Sequence, residues 1–372
     1  MDRLAKHFFR VVDQVASPSR WWALKLGLIV MAVSAIHAVP PYDVVLRMSG
    51  GDTRLKGLHP FTHLGGSNPA SHAAKLDFRL VVPLILRPVH GSAVCAAVLF
   101  AASGVITYAL FASELRRQRL EPRTIVLALA GVAATSAGGV FLISIDFFDG
   151  FAIALAVVAG YIRNRWLAPV AAVLAMFTDE RALIALTLCV LCAEWIDRRD
   201  RVSRPSGLRF TGLLLSVLLY LAARFSLDVA TSLRTERAET GLGVIAANVA
   251  HWPIGLITSF AFWWLALTVG IVLAIQTSKP ALRVAISVTI AAAIVSSLAV
   301  DDVTRSLSYI LPCAPLATLA VVDRWGARSA DRVFALLLIL CSLTPAIVMA
   351  GSIGRQDPLP IQVVRWTRLP SH

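Results

Sequence analysis

The strongest constraint on this chain is a recurrence of apolar runs too long for a water-soluble core. Residues 22–39, 92–112, 124–143, 210–223, 254–275, 282–300 and 333–350 are dominated by Leu, Val, Ile, Ala and Phe. About 20 such residues in a helix cross a hydrocarbon core about 30 Å thick. Inside a bilayer no water satisfies backbone N–H and C=O groups, so a spanning segment is either a helix or a strand of a closed barrel. The runs lack the alternation of barrel strands. Helices remain. Composition agrees, because 57% apolar and 15% charged residues in a 372-residue chain belong to the membrane class rather than to two soluble domains.

The formal net charge of +13 would suggest a nucleic-acid partner in a soluble protein. Here the basic residues fall in short connections between apolar runs, a pattern that sets membrane topology, and no nucleic-acid partner is expected. The clusters are Arg3/Lys6/Arg10/Arg20, Arg116/Arg117/Arg119/Arg123, Arg163/Arg165, Arg198/Arg199/Arg201/Arg204/Arg209, Lys279/Arg283 and Arg324/Arg328/Arg332. They alternate along the chain with connections 40–91, 144–150, 178–181, 227–253, 301–306 and the tail from 351, which therefore face outward. The expected fold is all-α, a polytopic transmembrane bundle of about 11 spans, with the N-terminus cytoplasmic and the C-terminus outside. Three runs, 151–162, 166–177 and 182–195, are short for a span; if two of them re-enter, the number falls to about nine. Residues 1–21 read as a cytoplasmic amphipathic segment leading into an uncleaved anchor. Residues 22–350 read as the membrane domain, with long outer loops 40–91 and 227–253, and 351–372 as a short outer tail. Within the first loop, residues 80–86 predict a short helix at the membrane surface. All five cysteines lie in apolar segments, so Cys189 and Cys192 are expected to pack rather than to do redox or zinc chemistry.

Ionisable residues near membrane depth are costly, and several are expected to share the outer level. Asp43 follows the first apolar run; Asp146 and Asp149 sit in the second outer connection; Asp179, Glu180 and Arg181 are consecutive; Asp301 and Asp302 precede Arg305. A partly dehydrated carboxylate such as Asp43 has the chemistry of a general base. Arg305, Arg79 and Arg181 have the planar fork suited to phosphate. The competing readings are helix caps for the aspartates and ion pairs with neighbouring carboxylates for the arginines. His59 and His63 have an i, i+4 spacing with His72 nearby, but Pro60 interrupts it and no HExxH glutamate intervenes, so no metal site is assigned. No cofactor is predicted from the residues, although a divalent metal stays open. No nucleotide loop, serine elbow or kinase signature is present.

In its extended first outer loop opening on Asp43, its acidic second connection with Asp146 and Asp149, and Arg305 at a late outer helix start, the chain resembles the C-type superfamily of polytopic membrane glycosyltransferases. Residues 177–183 (Phe-Thr-Asp-Glu-Arg-Ala-Leu) resemble a Thr-Lys-Glu-type stretch of that superfamily, with the charges in another order. The resemblance implies transfer of a hexosyl or pentosyl group from a polyprenyl-phosphate carrier to a glycan, lipid or protein acceptor. It implies Asp43 as the base, with Arg305 and Arg79 on the departing lipid phosphate. Arg181, Asp146, Asp149, Asp179, Glu180 and Asp302 complete the expected substrate site. It also implies a bacterial cytoplasmic (inner) membrane location with the site facing outward. The alternatives are a secondary transporter or lipid flippase, a polysaccharide polymerase or ligase, and a non-catalytic assembly subunit. Transporters place broken helices and charges near the midplane; here only Gly138-Gly139 and Pro169 suggest breaks.

Overall fold

A computed structural model describes residues 2–17, 19–37, 79–90, 92–143, 148–199, 210–231, 249–300, 302–349, 353–356, 358, 361 and 364. The apolar runs become helices: α1 (Asp2–Val15), α2 (Trp22–His37), α3 (Val81–Leu86), α4 (Ala93–Arg117), α5 (Pro122–Ala133), α6 (Val140–Ile143), α7 (Asp149–Tyr161), α8 (Leu167–Thr178) and α9 (Ala182–Arg199). They are followed by α10 (Phe210–Thr231), α11 (Trp252–Phe260), α12 (Trp264–Thr277), α13 (Pro280–Leu298), α14 (Val303–Leu307), a 3₁₀ stretch (Ser308–Cys313), α15 (Ala314–Trp325) and α16 (Ala327–Leu343). Proline at the first helical position starts α5 and α13, where its missing N–H costs nothing.

Among the described residues, five helical stretches are long and apolar enough to cross a membrane: Val94–Arg117, Phe210–Leu227, Trp252–Thr277, Pro280–Leu298 and Val303–Trp325. Their outer faces are those of a membrane protein. On α10 Leu214, Leu215, Leu218, Leu219, Phe225 and Val229 are exposed, and on α13 Val284, Val288 and Val295 are. Soluble monomers do not present contiguous apolar surface on this scale to water. The three shorter runs also form helices, of 13, 12 and 18 residues; α7 and α9 are largely buried, while α8 buries one face and leaves Leu167, Val170 and Leu174 exposed on the other. Helix α7 packs on α4, α8 and α9, and α9 packs on the 3₁₀ stretch. Close approach of α2 to α4 depends on Gly27, where a Cβ would meet the Val105 carbonyl oxygen at 2.4 Å.

The two ends of the bundle differ. At one end the basic connections gather: Arg123 Nε donates to Asp13 at 2.7 Å, Arg199 Nε to Asp323 at 2.6 Å and Arg199 Nη1 to Gln118 at 3.1 Å. At the other end lie Asp149, Asp179 and Asp302.

Three features depart from the expected continuous spans. The 124–143 run is interrupted between Ala133 and Val140, because the backbone at Gly138 folds back to a place where a Cβ would lie 1.9 Å from the Val132 carbonyl oxygen. The freed groups are satisfied within the protein. Thr135 Oγ1 accepts from Gly138 N at 3.0 Å, and Tyr108 OH donates to Gly138 O at 2.8 Å. The 254–275 run is interrupted at Ala261–Trp263, with Ala261 at φ 45. The two interruptions meet, Ala137 N donating to Ser259 O at 2.7 Å. The last apolar run, 333–350, stays helical only to Leu343. Pro345 pushes Thr344 into an extended conformation, and Ala346–Met349 pairs antiparallel with Ile353–Gln356, the only strands among the described residues. The short helix expected within residues 80–86 forms as α3, with Val82 and Leu86 buried against Ala96, Phe100 and Phe148 and Leu84 and Ile85 exposed. Pro169, by contrast, sits in the first turn of α8 and breaks nothing.

Candidate functional site

Asp179 and Arg181 occupy the tight turn between α8 and α9. Asp179 Oδ1 accepts from the Arg181 backbone N at 2.9 Å, a local side-chain bond that shapes the turn and leaves both charged groups at the helix ends. Asp149 opens α7. Asp302 caps α14, accepting from Arg305 N at 3.0 Å and Thr304 Oγ1 at 3.2 Å. Arg79 lies just before α3 and is held over the turn by the Leu80 N bond to Phe177 O at 3.0 Å.

These side chains form one alternating network. Arg79 Nη2 meets Asp179 Oδ2 at 2.8 Å. Arg181 donates to Asp179 from Nε at 3.0 Å and from Nη2 at 2.9 Å. Arg181 Nη2 also reaches Asp149 Oδ1 at 2.6 Å, and Nη1 donates to Ser306 Oγ at 2.6 Å. Arg305 Nε lies 3.1 Å from Asp149 Oδ2 and 3.3 Å from Asp302 Oδ2. Tyr309 OH donates to Asp149 Oδ1 at 3.0 Å, and its ring lies 5.3 Å beneath the Arg181 guanidinium. The order Arg79, Asp179, Arg181, Asp149, Arg305, Asp302 balances three positive against three negative charges. Glu180 stands at its margin, 4.0 Å from Arg79 Nε and the most exposed carboxylate of the group.

Burial is nearly complete: Asp149 and Asp179 have no exposed side-chain surface. Burial alone would raise the Asp179 pKa, but Arg181 and Arg79 outweigh it and hold this carboxyl well below its usual range. At Asp302 burial prevails over Arg305 and the pKa is raised. At Arg79 burial opposes the charge, but Asp179 and Glu180 outweigh it and raise the pKa. Hydrogen-bonding capacity remains: among the described residues Arg79 Nε, Asp149 Oδ2 and Asp302 Oδ2 are buried and have no hydrogen bond of good geometry.

The network is also recessed. Phe148 stacks on Phe100 with ring centroids 6.4 Å apart. Phe100 lies seven residues into α4, so about 10 Å of helix rises beyond the level of Asp149.

Of the residues singled out from the sequence, Arg79, Asp149, Asp179, Glu180, Arg181, Asp302 and Arg305 come together here. Asp43, Asp146, Asp301, His59, His63 and His72 lie outside the described residues. Asp302 is a helix cap as well as an ion-pair partner, so two of the competing readings hold for it at once. Tyr309 and Ser306 were not singled out. The signal for Tyr309 was its place four residues after Arg305, one helical turn on. Each buried aspartate faces arginine rather than another ligand-type group, and among the described residues no three His, Cys, Asp or Glu side chains gather as a metal ion requires. The sulfurs of Cys192 and Cys313 lie 3.8 Å apart in the apolar interior.

The fold and this network define a class: a helical membrane protein with a charge-balanced polar core at the end of the bundle opposite its basic rim. Compared with protein-family models, curated proteins and solved structures, the chain matches none.

Proposed function

We propose that the protein is an integral-membrane glycosyltransferase that moves a hexosyl or pentosyl group from a polyprenyl-phosphate carrier to a glycan, lipid or protein acceptor. One observation carries the reading. Three arginines from separate stretches of chain meet in a buried, recessed network that still has hydrogen-bonding capacity, and Arg79 ends the long loop in which Asp43 lies. Burying three ion pairs contributes little to stability compared with apolar packing, so their presence inside the helical bundle points to a polar ligand. The aspartates orient the arginine forks, and the phosphate of a lipid-linked sugar offers the oxygens those forks suit.

In the reaction Asp43 takes the proton of the acceptor hydroxyl, and the acceptor oxygen attacks the anomeric carbon. The bond from that carbon to the carrier phosphate breaks, and the phosphate leaves with the electron pair toward Arg305 and Arg79. Configuration inverts. Asp149 and Asp302, both against Arg305, hold its guanidinium in place for the phosphate. The reading includes eleven spans, a cytoplasmic basic end and a bacterial inner-membrane location with the network facing outward.

The test uses purified membranes and radiolabelled lipid-phosphate sugars. Asp43→Asn is expected to abolish transfer, and Arg305→Gln to raise the donor KM and lower kcat. Full transfer by a well-folded D43N protein rules out the base. A second reading, a lipid flippase or transporter, is favoured by the two helix interruptions that meet at Ala137 and Ser259. It predicts transbilayer movement of the labelled lipid with no glycosidic bond formed.

A further inference from the structure

Three Arg-Trp steps stand at the basic end of the bundle. Arg20-Trp21 leads into α2, Arg165-Trp166 leads into α8 and Arg324-Trp325 closes α15. These helices lie on different sides: α2 packs on α4 and α5, α8 on α7 and α10, and α15 on α12 and α16. The indoles point outward, with Trp21 66%, Trp166 71% and Trp325 45% exposed. An indole is amphipathic and gains most at the boundary between headgroups and acyl chains. The guanidinium of Arg20 lies 5.6 Å from the centre of its tryptophan ring, and that of Arg165 lies 5.2 Å from its own.

Among the described residues no carboxylate compensates the charge at these steps. Nearby arginines are paired, Arg123 with Asp13, Arg198 with Glu194 and Arg199 with Asp323. Among the described residues Arg20, Arg165 and Arg324 are exposed and have no carboxylate within salt-bridge distance. Just inside the first two steps the surface turns apolar, with Leu24 and Leu28 exposed on α2 and Leu167 and Val170 on α8, whereas α15 is buried from Ala314 to Val321. At the first two steps cation, indole and aliphatic surface thus follow one another in the order of phosphate, glycerol and acyl chain in a phospholipid.

We infer that this rim binds anionic phospholipid, the Arg20-Trp21 and Arg165-Trp166 steps each holding one headgroup with its chains laid along the apolar surface beneath, and Arg324-Trp325 adding a third headgroup contact. A zwitterionic headgroup offers the same phosphate and chains but adds a cation of its own, so net charge separates the two. Each exposed arginine at a membrane surface is expected to favour the anionic lipid about fivefold. The inference rests on the membrane reading of the fold and not on sugar transfer.

The experiment reconstitutes the purified chain in phosphatidylcholine vesicles in which a fixed fraction is brominated phosphatidylglycerol or brominated phosphatidylcholine. Tryptophan quenching is then compared. The wild type is expected to be quenched more by the anionic lipid. The excess should vanish in the triple variant Arg20→Gln, Arg165→Gln, Arg324→Gln, whose exposed side chains leave the core intact. It should vanish as well in the variant Trp21→Phe, Trp166→Phe, Trp325→Phe, which keeps six of the nine tryptophans. Circular dichroism confirms the helical fold of each. Equal quenching of the wild type by both lipids overturns the inference, as does an excess that survives either triple variant.

Discussion

Arg181 donates at once to Asp149, Asp179 and Ser306 and covers the ring of Tyr309. Its removal therefore leaves two buried carboxylates short of their shared cation. Arg181→Ala is expected to cost about 3–5 kcal/mol, as uncompensated buried charge does. Arg181→Lys restores only part of it, because a point charge cannot bridge both acids. Thermal unfolding in detergent measures the effect, with Arg123→Ala as the exposed comparison, expected within about 1 kcal/mol. Asp179 adds a pH dependence. Its folded pKa is depressed below the unfolded value near 3.9, so its contribution is complete above that value and is lost as pH falls through the folded pKa. Melting temperature should fall on acidification below about pH 4, and Asp179→Asn should flatten that part of the profile. An unchanged acid limb in D179N means that another carboxylate governs it. Which residues were chemically unusual was legible in the sequence, because aspartate beside arginine stands out among apolar runs. Their pairing was not, since Arg79 and Asp179 are a hundred residues apart and meet only through the packing of α3, α8 and α9.

The helices are held by small residues as much as by large ones. A side chain at Gly27 meets backbone of α4, which cannot rotate away, so Gly27→Ala should part α2 from α4 at a cost of about 1–3 kcal/mol. Leu28→Ala, one residue on and facing outward, should stay within about 0.5 kcal/mol in the same unfolding assay. Equal effects would show that α2 does not pack closely here. Gly326 serves differently: at φ 75 and ψ 158 between α15 and α16 it holds a backbone conformation open essentially to glycine alone. Helix positions followed from hydropathy. The interruptions at Ala134–Gly139 and Ala261–Trp263 did not, because continuous apolar sequence is compatible with a straight helix until tertiary partners such as Tyr108 and Ser259 satisfy the freed backbone groups.

At the scale of the molecule, the polar core and the basic rim stand at opposite ends. Eleven spans require that α7, α8 and α9 each cross, which puts the 162–166 connection on the basic side and the 227–253 connection on the other. In a cysteine-free background, a membrane-impermeant maleimide should label Thr240→Cys in intact cells and Asn164→Cys only after permeabilisation. Labelling of N164C in intact cells would sink both the orientation and the number of spans. The short helices α7 and α8 also make the polar core recessed: helices of 12 or 13 residues end inside the bundle while α4 continues past them.

By itself the sequence determined that this chain is helical and apolar on its outside, where its basic connections fall, and which acids and arginines are out of place in lipid. Those are local properties, set by side-chain transfer energy and backbone satisfaction within each segment. Tertiary structure alone decided that six of those residues share one buried network with Glu180 at its margin, that Tyr309 and Ser306 belong to it, and that the network lies below the end of α4. Such facts depend on contacts between distant segments, and no period or spacing along a single chain encodes them.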